Sequence, residues 1–312
     1  MVIFQYIGSI FGYVLWFLFE LLQNYGLAII IFTVIIRIVM FPMSVKQQKT
    51  MAINSRISVK QQEIRKKYAG DQQKMNEEIQ KLYDKEGISP SGGCLTSLLP
   101  LFMMMGVFYS VIYPLNNTLH IATQTVQNAI AKVATLPGMG ISSSAITRYE
   151  QISFLTNFKN LQQTFPGDLQ AFLGFSGEEY AKIKSFSGGF NFGLNLLETP
   201  SNFGIFNIYF LIPVLCFVTS VGSTLVTMRI SKSGQTQQGC MKLMFIGLPL
   251  FTAWLAYSVP AAVGFYWICS TVISFLLTLV LNKFYNAGMM TAQQEAQRVA
   301  LLEIQEKNVH RN

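Results

Sequence analysis

The chain has 312 residues, a formal net charge of +8, 51% hydrophobic residues and only 12% charged residues. Soluble globular domains carry about 25% charged residues, so this composition excludes an ordinary soluble protein and favours a membrane protein with several spans. The four cysteines form no CxxC pair and the two histidines are far apart, so we expect neither a disulfide framework, a metal site nor a cofactor.

The first apolar segment, Phe4–Gln23, contains no basic residue and lacks the charged start of a signal peptide. Two placements are open for it. One is an amphipathic helix in the outer membrane interface, and the other is a sixth span with its amino end inside. We expect the interfacial placement, with a sharp turn at Asn24-Tyr25-Gly26 that leads into the first span.

Five later apolar segments each approach the roughly 20 residues that cross a hydrocarbon core. Four of them contain a proline, which membrane helices tolerate when neighbouring groups satisfy the freed carbonyls. The predicted fold is therefore an all-α polytopic membrane protein with a core of five transmembrane helices. The spans are predicted at 26–45, 94–115, 203–228, 241–259 and 261–283.

The polar segment 46–90 carries ten basic and six acidic residues, and its apolar residues have the periodicity of two helices. Gly70 is a predicted helix stop and Asp71 a predicted N-cap, which indicates a helical hairpin. One interpretation of this hairpin is a solvated cap that only stabilises the bundle.

Basic residues are concentrated in 46–90 and in 229–240, whereas 116–202 carries five basic and five acidic residues. The positive-inside rule places the basic segments and the tail 284–312 in the cytoplasm. Five spans then put 116–202 and the interfacial segment 1–25 outside. We therefore predict a multi-pass plasma-membrane protein with an external amino terminus and a cytoplasmic carboxyl terminus.

Arg37 lies in the middle of the first predicted span, nine residues before Lys46. At about 1.5 Å per residue, this spacing gives a depth of about 13–14 Å. An arginine keeps its charge and costs about 2.5–3.5 kcal/mol at the centre of a membrane helix. The five predicted spans contain no aspartate or glutamate to pair with it. We therefore predict a water-filled groove around Arg37, with the cytoplasmic side as its favoured opening.

Hydroxyl and aromatic side chains at helical spacing are the candidate walls of this groove. Thr33 lies one turn before Arg37, and further polar stripes follow in the third and fifth spans. The alternative is that these hydroxyls bond to their own helix backbone or cement helix packing. The predicted groove residues are Arg37, Thr33, Thr219, Ser223, Tyr266, Trp267 and Ser270.

Several stretches of the sequence resemble the YidC-type membrane protein insertases of bacteria, which have mitochondrial and chloroplast relatives. The most specific is NYGLAIIIFTVIIRIVMFPMSVKQQKTM at 24–51, where an apolar run with a single arginine leads into a basic hairpin. The others are GGCLTSLLPLFMMMGVFYSV at 92–111, FGLNLLETP and FLIPVLCFVTS within 192–220, and VPAAVGFYWICSTVISF at 259–275.

The resemblance implies a five-helix core whose groove is open to cytoplasm and lipid, with Arg37 as its functional charge. It also implies that client segments contact the second and fifth spans, and that Tyr266 and Trp267 match an aromatic pair of the family. The lipid-facing slide would comprise Met104, Phe108 and Trp267. Flexible methionines offer such a slide an adaptable surface, although they also fill gaps in a core.

The implied partners are nascent membrane proteins and the lipid bilayer, with the Sec translocon and the ribosome as further candidates. The tail 284–312 carries three basic residues against three glutamates, which argues against strong ribosome docking. We expect a monomer in the bacterial plasma membrane that is not an enzyme and reads no nucleic-acid sequence. The competing functions are an assembly factor that binds helices without inserting them, and a solute or anion transporter.

Overall fold

The computed structural model describes residues 2–86, 105–136, 149–165, 167–187, 193–230 and 239–284, and single positions between 289 and 300. Within these ranges the chain forms helices and turns without a β-strand, which confirms the predicted all-α class. Met104 and most of the predicted tail lie outside the described residues. The helices are α1 (Val2–Leu22), α2 (Tyr25–Val39), α3 (Phe41–Lys67), α4 (Gln72–Glu86), α5 (105–112), α6 (Thr123–Ala134), α7 (Glu150–Thr164), α8 (Leu169–Leu173), α9 (Gly177–Ser187), α10 (Leu211–Ile230), α11 (Gly239–Ser258) and α12 (Ala261–Phe284).

The chain divides into two compact units, and it passes from one to the other within α2, α10, α11 and α12. The first unit consists of Met1–Ile36, Pro100–Ser220 and Gly247–Thr271. The second unit consists of Arg37–Leu99, Val221–Ile246 and Val272–Asn312.

Long apolar helices identify a membrane protein. Two stretches of the described chain are long and apolar enough to cross a bilayer, Ile208–Arg229 and Ala261–Phe284. In α11, the side chains of Leu248, Phe251 and Trp254 are 62%, 54% and 61% exposed. Such an exposed apolar face fits a helix that is surrounded by lipid.

A sharp bend at Met40 separates α2 from α3, and the two helices meet at 61°. Pro42 explains the bend, because it has no N–H to donate to the carbonyl of Ile38 and its ring crowds that carbonyl. The predicted span 26–45 is therefore not one straight helix. α3 continues without interruption across residue 46, where the sequence had suggested that the hairpin begins.

α3 and α4 form the helical hairpin of the second unit. Asp71 caps α4 as predicted, because its Oδ1 accepts a hydrogen bond from the backbone nitrogen of Lys74 at 3.1 Å. Farther from the turn, Gln61 Nε2 donates to the hydroxyl of Tyr83 at 2.7 Å. The two helices are thus joined both at the turn and along their length.

In the first unit, α6 to α9 pack around a shared apolar core. Phe154 and Phe158 of α7 are both 0% exposed. Phe154 lies beside Phe175, with ring centroids 6.1 Å apart, and Phe158 lies beside Tyr180 of α9 at 5.6 Å. The segment 116–202 therefore contains a small helical cluster with its own core.

A buried polar corner joins this cluster to the end of α5, where the chain forms the π-helix Pro114–Thr118. Gln151 Oε1 accepts hydrogen bonds from the backbone nitrogens of Leu115 at 3.0 Å and Asn116 at 3.3 Å. Gln151 Nε2 in turn donates to the side-chain oxygen of Asn116. Because these buried groups are paired, the corner is a rigid joint rather than a loose turn.

Small residues allow α1 to pack closely against α5 and the π-helix. A Cβ atom on Gly8 would lie 2.8 Å from the Cβ of Tyr109, and one on Gly12 would overlap the carbonyl of Asn117. Two glycines four residues apart are a common packing motif of membrane helices, because they let backbones approach. At its other end α1 turns sharply into α2, where the side chain of Asn24 accepts from the backbone nitrogen of Leu27 at 3.0 Å.

Candidate functional site

Arg37 lies in the last turn of α2 and is partly exposed. The last carbonyls of a helix lack intrahelical partners, and the negative end of the helix dipole favours a cation there. The bend at Met40 follows one turn later. The guanidinium therefore stands at a helix end, where the backbone itself offsets part of the cost of the charge.

Ser223 is the other predicted groove residue of the second unit, and it is also partly exposed. Farther along the polar stripe of the fifth span, the hydroxyl of Thr278 donates to the carbonyl of Ser274 at 2.9 Å. One member of the stripe thus bonds to its own helix, which is the alternative role considered for such hydroxyls.

Thr33 and Thr219 belong to the first unit, and both hydroxyls are used within their own helices. Thr33 is only 1% exposed, and its Oγ1 donates to the carbonyl of Ile29 at 2.6 Å. Thr219 Oγ1 donates to the carbonyl of Leu215 at 2.6 Å. Both residues therefore have the backbone-bonded role, and Thr33 is buried in the packed core rather than presented to water.

Tyr266, Trp267 and Ser270 lie on α12 within the first unit. Tyr266 is buried, with 5% exposure, whereas Trp267 and Ser270 are partly exposed. The indole nitrogen of Trp267 is buried without a hydrogen-bond partner among the described residues. Such a donor is costly to leave unpaired, so Trp267 is the predicted site residue with unused hydrogen-bonding capacity.

The start of α12 is held in place by backbone hydrogen bonds. The nitrogen of Ala261 donates to the carbonyl of Glu198 at 2.8 Å, and that of Ala262 donates to the carbonyl of Leu196 at 2.6 Å. Two of the unpaired donors at the helix start are thereby satisfied. This contact fixes the position of the helix that carries Tyr266 and Trp267, and sequence patterns gave no signal for it.

The structure describes two of the three predicted slide residues, Phe108 and Trp267. Phe108 is partly exposed and packs against the buried core, with its ring edge-on to Tyr109 at 6.1 Å. Trp267 packs against the same core. Met104 lies outside the described residues.

The described residues contain no group of three or more His, Cys, Asp or Glu side chains that would hold a metal ion. Cys216 is buried, and its thiol donates to the carbonyl of Gly264 at 3.3 Å, which joins α10 to α12. Among groups outside the spans, burial raises the pKa of the half-buried Glu198 carboxyl. This side chain lies in the loop that caps α12, and its burial has no signature in the sequence.

Comparison with known proteins identifies the family. The family model described as 60Kd inner membrane protein matches residues 17–288. The chain belongs to this family. The matched range contains every predicted groove and slide residue.

Several proteins with similar sequences carry the name "Membrane protein insertase YidC". The protein from Caldanaerobacter subterraneus is 42% identical over 102 residues, which is 33% of this chain and 50% of the relative. The protein from Syntrophobacter fumaroxidans is 34% identical over 38% of this chain and 21% of the relative. The protein from Helicobacter pylori is 34% identical over 34% of this chain and 18% of the relative. The aligned part thus spans half the length of these relatives or less.

Membership of the 60Kd inner membrane protein family confirms the resemblance found in the sequence. The predicted groove residues are divided between the two units, with Arg37 and Ser223 in the second and the others in the first.

Proposed function

We propose that this protein is a membrane protein insertase, which moves apolar segments of newly made proteins from the cytoplasm into the bilayer. One observation carries the proposal. A chain of this family places an arginine in the last turn of α2, within a predicted membrane span. An ionisable residue inside a membrane span is costly, and it therefore points to a functional site.

The driving force is the transfer of the apolar segment itself. Each Leu, Ile, Phe or Val at the centre of a span gains about 0.3–0.6 kcal/mol, whereas an aspartate there costs about 2.5–3.5 kcal/mol. A single acidic residue that must cross therefore offsets several apolar ones. The task of an insertase is to lower this cost for the polar flank, and it needs no nucleotide to do so.

Arg37 is the group that lowers this cost in our proposal. At an effective dielectric constant of about 20, two opposite charges about 4 Å apart attract by about 4 kcal/mol, compared with about 1 kcal/mol in water. The first value is comparable with the cost of placing one acidic residue in the membrane. An acidic flank would therefore pause at the guanidinium before crossing, and an uncharged flank would not be repelled.

We assign the remaining site residues to three roles: groove walls, support of those walls, and an apolar slide. Ser223, Ser270 and Trp267 are partly exposed and are proposed as walls of the groove. Thr33, Thr219 and Tyr266 would support these walls through packing and backbone hydrogen bonds. Phe108 and Trp267, with Met104, are proposed as the apolar slide along which the client leaves for the lipid.

The proposed organisation keeps the boundaries predicted from the sequence. The hairpin 46–90, the loop 229–240 and the tail 284–312 are cytoplasmic, 116–202 is external, and five spans form the core. The protein acts as a monomer on nascent membrane proteins in the bacterial plasma membrane. The Sec translocon is a candidate partner, and the ribosome a weaker one.

The assembly-factor alternative has one observation in its favour, because the hydroxyls of Thr33 and Thr219 bond to their own helix backbones and Thr33 is buried. Purified protein in liposomes tests both functions with a single-span client that carries a short acidic external tail. Insertion should occur without another protein, and Arg37→Ala should reduce it strongly while Arg37→Lys retains part of it. Arg229→Ala removes an exposed cation at the end of α10 and serves as the matched control. Client binding without insertion would favour the assembly factor and overturn the proposal.

A further inference from the structure

The loop that leads into α10 exposes large apolar side chains. Ile205, Phe206 and Ile208 are 58%, 100% and 60% exposed, and we call these three residues the apolar tip. The surrounding sequence is uncharged, because no acidic or basic residue occurs between Glu198 and Arg229. Neighbouring exposed apolar side chains mark a surface that contacts a protein, a ligand or a membrane.

An ordered turn presents the apolar tip. Phe203 stacks on Tyr209, with ring centroids 4.4 Å apart and planes at 14°, so the two sides of the loop are joined. Between them, Gly204 has a φ of 72°, a conformation that favours glycine and turns the chain. The side chain of Asn207 accepts a hydrogen bond from the backbone nitrogen of Tyr209 at 3.2 Å. The exposure of the tip therefore comes from a defined turn and not from a frayed helix end.

Tyr209 also connects this turn to the segment that caps α12. Its hydroxyl accepts a hydrogen bond from the backbone nitrogen of Asn195 at 3.0 Å. The carbonyls of Leu196 and Glu198 accept from the first residues of α12. The tip and the cap of α12 thus belong to one hydrogen-bonded structure.

An exposed apolar stripe continues from the tip along α10. Leu211, Val214 and Val218 are 49%, 39% and 56% exposed. Together with Ile208 they are spaced three or four residues apart, so they lie on one face of the helix. This face belongs to the candidate span Ile208–Arg229, and such a face of a membrane protein contacts lipid. The tip continues this lipid-facing surface beyond the start of the span.

The length of the span sets the depth of the tip. Its 22 residues extend for about 33 Å, which matches the ~30 Å thickness of a hydrocarbon core. Residues 205 and 206 precede the span and therefore lie at the edge of the core. Irregular backbone exposed to lipid does not occur within the hydrocarbon region. The side chains of the tip can thus reach the acyl chains only if the backbone of the turn stays among the headgroups.

We propose that the apolar tip is inserted into the boundary between headgroups and acyl chains, at the membrane surface where α10 begins. Ile205 and Phe206 contact the upper part of the acyl chains. Lipid is favoured over a protein partner because the tip is continuous with the lipid-facing stripe and carries no charge that would orient a partner. On the topology that the charge distribution predicts, this surface is the outer leaflet. The proposal does not depend on the proposed insertase function.

Depth-dependent fluorescence quenching tests this placement in the full-length protein. Ile205→Cys is made in a variant whose four native cysteines are replaced by alanine, and it carries an environment-sensitive fluorophore. The protein is reconstituted in phosphatidylcholine–phosphatidylglycerol vesicles with a nitroxide either near the headgroup or near the chain end, and iodide is added on both sides. Val218→Cys on α10 is the reference for the acyl chains, and the exposed Asn160→Cys on α7 is the reference for water.

A tip at the boundary gives a distinct pattern of quenching. The fluorophore at residue 205 should be quenched more by the shallow nitroxide than by the deep one, and several-fold less by iodide than at residue 160. Iodide quenching equal to that at residue 160 would place the tip in water and overturn the proposal. Stronger quenching by the deep nitroxide, as at residue 218, would overturn it too, because the tip would then lie within the core. Protection from all three quenchers would show that a protein surface covers the tip, which also contradicts the proposal.

A second variant tests whether the tip itself, and not the fluorophore, seeks lipid. Phe206→Asp is added to the protein labelled at residue 205. An aspartate is costly in lipid, so iodide quenching should increase and shallow nitroxide quenching should decrease. Unchanged quenching by both would show that Phe206 does not hold the loop in the membrane, and the proposal would be wrong.

Discussion

The rings of Tyr25 and Phe186 pack edge to face, with centroids 5.2 Å apart and planes at 77°. Phe19 completes this cluster, because its ring lies 5.2 Å from that of Phe186. Three elements of the first unit, α1, α2 and α9, therefore meet in one aromatic contact. This contact fastens the helical cluster of the 116–202 segment to the start of α2.

Replacing Phe186 by alanine should strongly destabilise the first unit. Phe186 is only 1% exposed, and deletion of a buried phenylalanine costs about 3–5 kcal/mol. Thermal unfolding in detergent should show a large decrease in melting temperature. Phe206→Ala is the control, because Phe206 is 100% exposed and its replacement should leave the melting temperature unchanged.

Tyr25→Phe should leave the melting temperature unchanged or raise it, since the Tyr25 hydroxyl is buried without a partner among the described residues.

Gly12→Ala should separate α1 from the π-helix. The new Cβ would overlap the backbone of Asn117, which cannot move aside as a flexible side chain can. We expect a cost of about 1–3 kcal/mol from overpacking and faster proteolysis of the amino-terminal helix. Gly222→Ala in α10 is the matched control, because a Cβ there meets nothing within 4 Å. Equal behaviour of the two variants would contradict the close approach of α1.

The Gln151 amide should be required for the polar corner. Gln151→Leu would leave the backbone nitrogens of Leu115 and Asn116 without their acceptor, and each buried unpaired group costs about 1–3 kcal/mol. Amide hydrogen exchange at these two residues should accelerate markedly. The exposed Gln163→Leu on α7 should change neither exchange rate. Unchanged protection in Gln151→Leu would show that other groups hold the corner.

His120 should make the first unit less stable in acid. Its ring stacks on Tyr13 at 3.2 Å, and burial, helped by the charge of Lys182, lowers its pKa from 6.5 to about 4. The unfolded chain therefore binds the proton more readily than the folded one. Stability is complete above pH 6.5 and decreases as the pH falls toward about 4.

Melting temperatures measured across this pH range test the role of His120. His120→Asn is a suitable comparison, because asparagine tolerates the positive φ of 54° at this position and does not titrate. The variant should lose less stability than the native protein between neutral pH and the acidic end of the range. Parallel curves for the two proteins would exclude His120 as the source of the acid sensitivity.

The sequence predicted the apolar helices, the Asp71 cap and the sharp turn at Asn24, because each depends on local composition or on one residue type. Pro42 was recognised within the first predicted span, but the 61° bend was not predicted. The size of such a bend depends on what surrounds the freed carbonyl. The polar corner at Gln151 joins residues about 35 positions apart in the chain, and no local pattern records such a pairing.

In the candidate site, too, some features follow from local sequence and others depend on packing. The position of the arginine within an apolar span follows directly from residue order. Burial of Thr33 depends on neighbours in space, so hydroxyl periodicity alone did not separate it from Ser223. The unpaired indole nitrogen of Trp267 is likewise visible only once the helices are packed.

A charge exchange between Arg37 and the client tests the central claim most directly. Liposomes that contain either the native protein or Arg37→Glu are supplied with two clients, identical except for an aspartate or a lysine in the flank that crosses. Native protein should insert the acidic-flank client better, and Arg37→Glu should reverse that preference. If both proteins favour the same client to the same degree, Arg37 does not interact with the crossing flank, and our account of insertion is wrong.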